Sequence, residues 1–286
     1  MHTYTNLSVD KILKPISYYI NNSSKYKIEE IFDIKGKILK SFSNLIYNDS
    51  EHKYFLEGIE LTPVTKICHF FEESQDFTLI AQKYAKKNNL DWVEVKRQWD
   101  LKSLLSKEVG NSIHKFAEGF HYLILGEEDK FKSIGNNNIC EDYYLPYSLK
   151  QNAIIKYFYD ILNQGEIPVV AECKIYWKEL KISGTLDSLV YSKEIDGFII
   201  RDYKNNEEMK KSFIKPLLFP FQNYNTEPLS NYILQCNLYQ CILENIGINI
   251  KRRELVWVKD SGNYELISLP NETQKLREFL PKILNV

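Results

Sequence analysis

Apolar and polar positions alternate with two different periods along the chain. Across residues 91–125, Leu101, Leu104, Leu105, Ile113, Phe116, Phe120 and Leu123 recur at three- and four-residue spacing, which predicts a long helix stopping at Gly126. A second helix is predicted over 149–162, closed by Gly165 and Pro168, and a third over 230–244, after a loop holding Pro216, Pro220 and Pro228. Between them the pattern turns to strands at 169–177, 180–191 and 197–204, joined by short polar turns, so an antiparallel meander is expected. Two more strands are expected near 255–259 and 264–269. Upstream, Tyr54-Phe55-Leu56 and Ile59-Glu60-Leu61 flank Glu57-Gly58, the signature of a small hairpin that then turns into a helix. Val9, Ile12, Leu13 and Ile16 suggest a short helix near Pro15, and Gly135-Asn136-Asn137-Asn138 reads as a loop. This order predicts an α/β (α+β) fold, a central mixed sheet flanked by helices. Residues 1–92 are read as an N-terminal extension of helices and a small hairpin, and 93–286 as the core.

The strand pattern also places chemistry. Gly184-Thr185-Leu186-Asp187 is followed, fifteen residues after its aspartate, by Asp202-Tyr203-Lys204. Side chains alternate along a strand, so Asp202 and Lys204 share a face with Phe198 and Ile200. The strand then begins as core and ends in two charged groups. Asp187, taken to lie late in the preceding strand, comes beside Asp202 in a hairpin. Two carboxylates that close repel unless a cation sits between them, and a hard divalent ion such as Mg²⁺ prefers such oxygen ligands. Asp-x-Lys is a weak signal in a lysine-rich chain, and Glu172–Lys174 is a competing triplet that also lies on an expected strand.

Two further groups bear on this. Gly110, His114 and Glu118 are four residues apart and fall on one helical face. The glycine is expected to admit another backbone, and the imidazole to reach a metal. Gln235 and Tyr239, one turn apart, offer an amide and a phenol to a phosphate or base; the same spacing also fits an amphipathic helix with Tyr239 in the core.

Taken in order, Gly-x-x-x-His, Gly-Thr-Leu-Asp, Asp-Tyr-Lys and Gln-x-x-x-Tyr resemble the RecB-type branch of the PD-(D/E)XK nucleases, over about residues 105–245. Phage exonucleases and mitochondrial genome-maintenance exonucleases fall in the same broad group. The resemblance implies a Mg²⁺- or Mn²⁺-dependent deoxyribonuclease on a restriction-endonuclease-like core. It implies that His114, Asp187 and Asp202 ligate the metal with the backbone carbonyl of Tyr203, and that Glu172 is an extra carboxylate near a second ion. Lys204 is then to orient or deprotonate the attacking water and to stabilise charge on the phosphate. Gln235 and Tyr239 are to position the DNA, with Gly110 and Glu118 supporting the histidine helix. One branch of the family carries an iron–sulfur cluster held by one upstream and three C-terminal cysteines; that trio is missing, so no cluster is expected. No Gly-x-x-x-x-Gly-Lys-Ser/Thr loop occurs, so ATP is not expected either.

Composition changes this picture little. With 37 basic against 38 acidic residues, the net charge of −1 neither announces nor excludes a nucleic-acid partner. Lys251-Arg252-Arg253 fits either a backbone-phosphate contact or a solvated surface. Cys68, Cys140, Cys173, Cys236 and Cys241 form no Cys-x-x-Cys pair, and the odd count argues against a complete disulfide framework. With no signal-peptide pattern and no apolar run near the roughly 20 residues of a membrane span, a cytoplasmic protein without a membrane is expected. The resemblance implies DNA as its partner, as single strands or ends, alongside other replication or recombination proteins. A structure-specific or restriction-type endonuclease on the same core, and a non-catalytic nucleic-acid-binding protein, remain the alternatives.

Overall fold

The expected meander forms, and it is the middle of a larger sheet. The computed structural model describes residues 28–73, 75–135, 145–210 and 215–284. The helix expected near Pro15, residues 136–138 of the expected loop, and Cys140 lie outside them. The order is α1 (Ile28–Ser41), β1 (Leu45–Asn48), β2 (Lys53–Leu56), β3 (Ile59–Pro63), α2 (Val64–His69), α3 (Phe77–Asn88), α4 (Trp92–Ile124) and α5 (Glu128–Gly135). It continues with α6 (Leu145–Asn163), β4 (Glu166–Trp177), β5 (Ile182–Ser192), β6 (Gly197–Lys204), α7 (Pro228–Asn245), β7 (Ile250–Val258), β8 (Tyr264–Ser268) and α8 (Thr273–Leu284). Gly135, expected in a loop, ends α5.

Eight strands make one mixed sheet, in the order β1-β2-β3-β5-β6-β7-β8 with β4 on the other edge of β5. β4, β5 and β6 are antiparallel, whereas β3–β5 and β6–β7 are parallel. The upstream hairpin therefore joins the core sheet: Thr62 pairs with Ile182 and Pro63 with Ser183. The segment before residue 93 thus shares sheet and core with the strands of the second half of the chain. Opposite β4, the edge of β5 is bonded first to β3 at 182–183 and then to β6 at 188–192. Residues 184–187 face the gap between those partners.

Each face of the sheet has its own core. On one, Ile200, Leu186, Leu189 and Leu255 meet α1, α2, α7 and α8 through Ile38, Ile67, Leu238 and Leu276. On the other, Tyr203, Val256 and Val258 meet α4 and α6 through Ile113, Ala117, Tyr157 and Phe158. α7 is buried nearly all round, from Ile233 to Leu243, as a helix apolar on every side must be. Gly184 lets it approach: a Cβ there would stand 2.8 Å from the Tyr239 ring.

α3 and the first half of α4 form a helical hairpin with its own small core of Ala81, Ala85 and Val95 against Trp99. Asp76 caps α3 by accepting from Thr78 and Leu79, and Asp91 caps α4 by accepting from Val93. From Leu101 to Glu108 every residue of α4 is exposed.

On the α6 side of β6, Arg201 is 2% exposed and fully engaged. It donates to Glu166 at 2.6 and 3.2 Å, to Glu254 at 2.9 Å and to the Tyr157 hydroxyl at 3.3 Å. Deleting one member of such a buried set strands the opposite charges. Arg201→Met is therefore expected to cost about 3–5 kcal/mol in urea unfolding, because two buried carboxylates lose their cation.

Candidate metal centre

The site opens where β5 and β6 part. Their last ladder pair is Ser188 with Arg201. Two residues further along β6, the Tyr203 N–H is not taken by a carbonyl of β5; it donates to Asp187 Oδ2 at 2.9 Å. Asp187 thus lies in the middle of β5, not late in it as expected, but at the end of its ladder with β6.

Across β5, the pairs Ala171–Ser188 and Cys173–Leu186 bracket Glu172 opposite Asp187. Glu172 has φ 44°, a left-handed backbone that costs a side-chain-bearing residue about 1–2 kcal/mol. Such departures gather at functional sites. The third group, His114, comes from α4. Its Nδ1 lies 3.2 Å from Glu172 Oε1 and 3.5 Å from Asp187 Oδ2, and its Nε2 donates to the Tyr203 carbonyl at 3.1 Å. One ligand atom each from His114, Glu172 and Asp187 lies within 4.8 Å of the others.

Asp202 and Lys204 adjoin this cluster on the α7 side. Asp202 is fully buried; Lys204 Nζ stands 2.5 Å from its Oδ2, and Gln235 Nε2 donates to its Oδ1 at 3.2 Å. Lys204 also sits 4.7 Å above the Tyr232 ring.

Electrostatics follow from this crowding. Burial alone would lower the His114 pKa, but the Asp187 charge, with Glu172 behind it, raises it to about 9. Burial, then the Asp187 charge, pushes Asp202 up to about 6 despite Lys204. Asp187 is raised as well, first by burial. Burial would lower Lys204, yet Asp202 and Asp187 hold it above the usual lysine range. It is a cation here, suited to donating rather than to abstracting a proton.

The donor set fits a divalent ion: two carboxylate oxygens and one imidazole nitrogen converge, and the second imidazole nitrogen is fixed by a carbonyl, as metal-bound histidines require. Three acids face one lysine and a protonated histidine, so a divalent cation can replace the histidine proton.

Several expectations change at this point. The tightest cluster contains Glu172 where Asp202 was expected, because the left-handed turn swings Glu172 onto the site while Lys204 and Gln235 draw the Asp202 carboxylate the other way. The Tyr203 carbonyl serves His114. Among the described residues no foreign backbone lies within 4 Å of where a Gly110 Cβ would stand; the Asn205 side chain is at 3.5 Å, an ordinary contact. Glu118 bonds Tyr122 at 2.9 Å, and its pKa is raised by burial and then by Glu172, so it is a further carboxylate beside the site. Tyr239 is buried, and its hydroxyl receives Gln235 Nε2 at 3.0 Å, so it braces Gln235 and presents nothing to solvent. Arg253 is buried and donates to Gln240 and to the Leu269 carbonyl, so it is not part of a solvated basic surface.

Two residues near the site carried no expectation. Tyr232 lies one turn before Gln235, a spacing visible in the sequence. Tyr54 donates to or accepts from Thr185 at 2.9 Å, a contact across 131 residues that no local pattern announces. No protein-family model matches the chain, and no curated protein matches it. No described helix is long and apolar enough to cross a membrane. The four described cysteines are free and buried.

Strain at position 172 is open to a direct comparison. Glu172→Gly and Glu172→Ala both remove the carboxylate, but only glycine relieves the backbone; the glycine variant should unfold at higher urea, by about 1 kcal/mol. Equal stability would show that position 172 is unstrained. The imidazole makes a second prediction, in pH. A histidine raised to about 9 stabilises the metal-free fold fully below its ordinary value of 6.5, and that contribution is lost as pH climbs through 9. A bound divalent ion displaces the same proton, so calorimetric Mg²⁺ affinity should rise about tenfold per pH unit from 7 to 9 and then level. A flat profile would mean that His114 takes no part in binding.

Proposed function

We propose that this chain is a metal-dependent nuclease on a PD-(D/E)XK-like core, a DNA exonuclease acting on single strands or ends. The observation that carries this reading is the meeting of His114, Glu172 and Asp187 in the gap between β5 and β6, with a cationic lysine alongside. Glycosidase-like carboxylate pairs need no lysine or histidine there, whereas phosphodiester hydrolysis uses all three kinds of group.

Mg²⁺ or Mn²⁺, if bound at such a site, would supply Lewis-acid polarisation of a phosphoryl oxygen and of the attacking water near neutral pH. The protein's own residues would then divide the work. His114 Nδ1, Glu172 and Asp187 would hold the ion, and the Tyr203 carbonyl fixes the imidazole so that Nδ1 faces the two carboxylates. Lys204 places positive charge where negative charge grows on the phosphate. Asp202 keeps the ammonium in place, and Gln235 keeps Asp202 in place.

The test is an end-labelled oligonucleotide with Mg²⁺ or Mn²⁺, against the parent chain and the Asp187→Ala, Glu172→Ala and Lys204→Ala variants. Terminal products, cut by about 10²–10³-fold or more in each variant, are expected, with circular single strands left whole. Cutting of circles would transfer the reading to an endonuclease. Unchanged activity in all three variants would remove the site from the reaction.

A further inference from the structure

In the nuclease reading Lys204 brings positive charge to a phosphate, yet a lysine is poorly suited to keeping one direction. Its ammonium ends a flexible stem and attracts a carboxylate from any side. Contact with Asp202 at 2.5 Å therefore fixes how far the charge lies from that acid and leaves its bearing open. The Lys204 side chain is 13% exposed, so water does little to settle that bearing.

A second contact supplies it. The ammonium stands 4.7 Å from the centre of the Tyr232 ring, inside the roughly 6 Å at which a cation is drawn to an aromatic face. The ring is itself held at both ends. Its backbone belongs to the first turns of α7, the helix whose Gln235 supports Asp202. Its hydroxyl donates to Asn206 Oδ1 at 2.7 Å. Asn206 follows Lys204 by two residues, and its carbonyl accepts from Trp257 Nε1 of β7 at 2.8 Å. The tyrosine thus spans from α7 to the segment leaving β6, with the ammonium over its ring. Tyr232 and Gln235 are one turn apart, so one helix face supports both members of the Asp202–Lys204 pair.

We propose that Tyr232 is a positioning residue of the nuclease site, its ring holding the Lys204 ammonium on the bearing that meets the phosphate. The inference rests on the nuclease reading and adds a residue to its site. In this role the phenol touches no reacting atom and acts through Lys204. The ring matters more than the hydroxyl, because the ring faces the charge and the hydroxyl anchors the ring.

A double-mutant cycle separates this role from mere support of the fold. Steady-state cleavage of an end-labelled oligonucleotide with Mg²⁺ is measured for the full chain, Tyr232→Leu, Tyr232→Phe, Lys204→Ala and Tyr232→Leu combined with Lys204→Ala. Tyr232→Leu should lower kcat about tenfold with KM unchanged, the worth of one desolvated cation–ring contact. Tyr232→Phe, which keeps the ring, should stay within about threefold of the parent. In the Lys204→Ala background, Tyr232→Leu should cost nothing further. The same loss in both backgrounds, a loss carried by KM, or equal losses in the Phe and Leu variants overturns the proposal. A readout free of cleavage is the ring current on the Lys204 Cε protons, followed by NMR in metal-free protein with isotope-labelled lysine. They should resonate upfield in the parent and in Tyr232→Phe, and move to the ordinary lysine position in Tyr232→Leu; an unmoved resonance overturns the contact. Cleavage by the parent with kcat intact in Tyr232→Leu ends this inference alone. A parent chain that never cleaves ends the nuclease reading, and this role with it.

Discussion

At Tyr203 strand β6 has already left its ladder with β5, and both backbone polar groups of that residue are put to use. The N–H donates to Asp187, and the carbonyl accepts a hydrogen bond from His114 Nε2. A buried backbone donor left alone costs about 1–3 kcal/mol, so Asp187 is tied to this position whether or not it holds an ion. The carbonyl in turn sets which nitrogen of His114 faces the acids. The parting of two strands thus determines where a helix-borne imidazole and a strand-borne carboxylate meet.

Strand β6 carries opposite solutions to buried charge on its two faces. Arg201, toward α6, has its donors matched by Glu166, Glu254 and Tyr157, and that face reads as closed structure. Asp202 and Lys204, one residue to either side of Tyr203, point toward α7, where Gln235 is the neutral support. Around them Glu172, Asp187 and Asp202 outnumber the cations. The first arrangement anchors the strand; the second leaves an unbalanced negative charge at its tip.

Much of this is legible from spacing. The meander, the long helix and the two charged positions at the end of β6 are short-range patterns, and Asp187, Asp202, Lys204 and His114 do gather. The remainder has causes that spacing does not encode. Glu172 reads as a decoy because alternation puts it on a regular strand; its left-handed backbone is a tertiary effect. Tyr239 is ambiguous on its helix, and only Gly184, far away in sequence, admits its ring to the core. α1, with Ile28, Ile31, Ile34 and Ile38 at helical spacing, is readable but absent from the expected elements, whereas the parallel pairing of β3 with β5 depends on about 120 residues of intervening chain.

The length of α4 has a mechanical consequence. It is a single helix of 33 residues, with a solvent-surrounded stretch at 101–108 and His114 less than two turns beyond. From Trp92 to the imidazole is about 33 Å of unbroken rod at roughly 1.5 Å per residue. Load applied to the outer hairpin reaches the ring along continuous helix, with no loop between to absorb it, so the outer tip and the imidazole form the two ends of one lever.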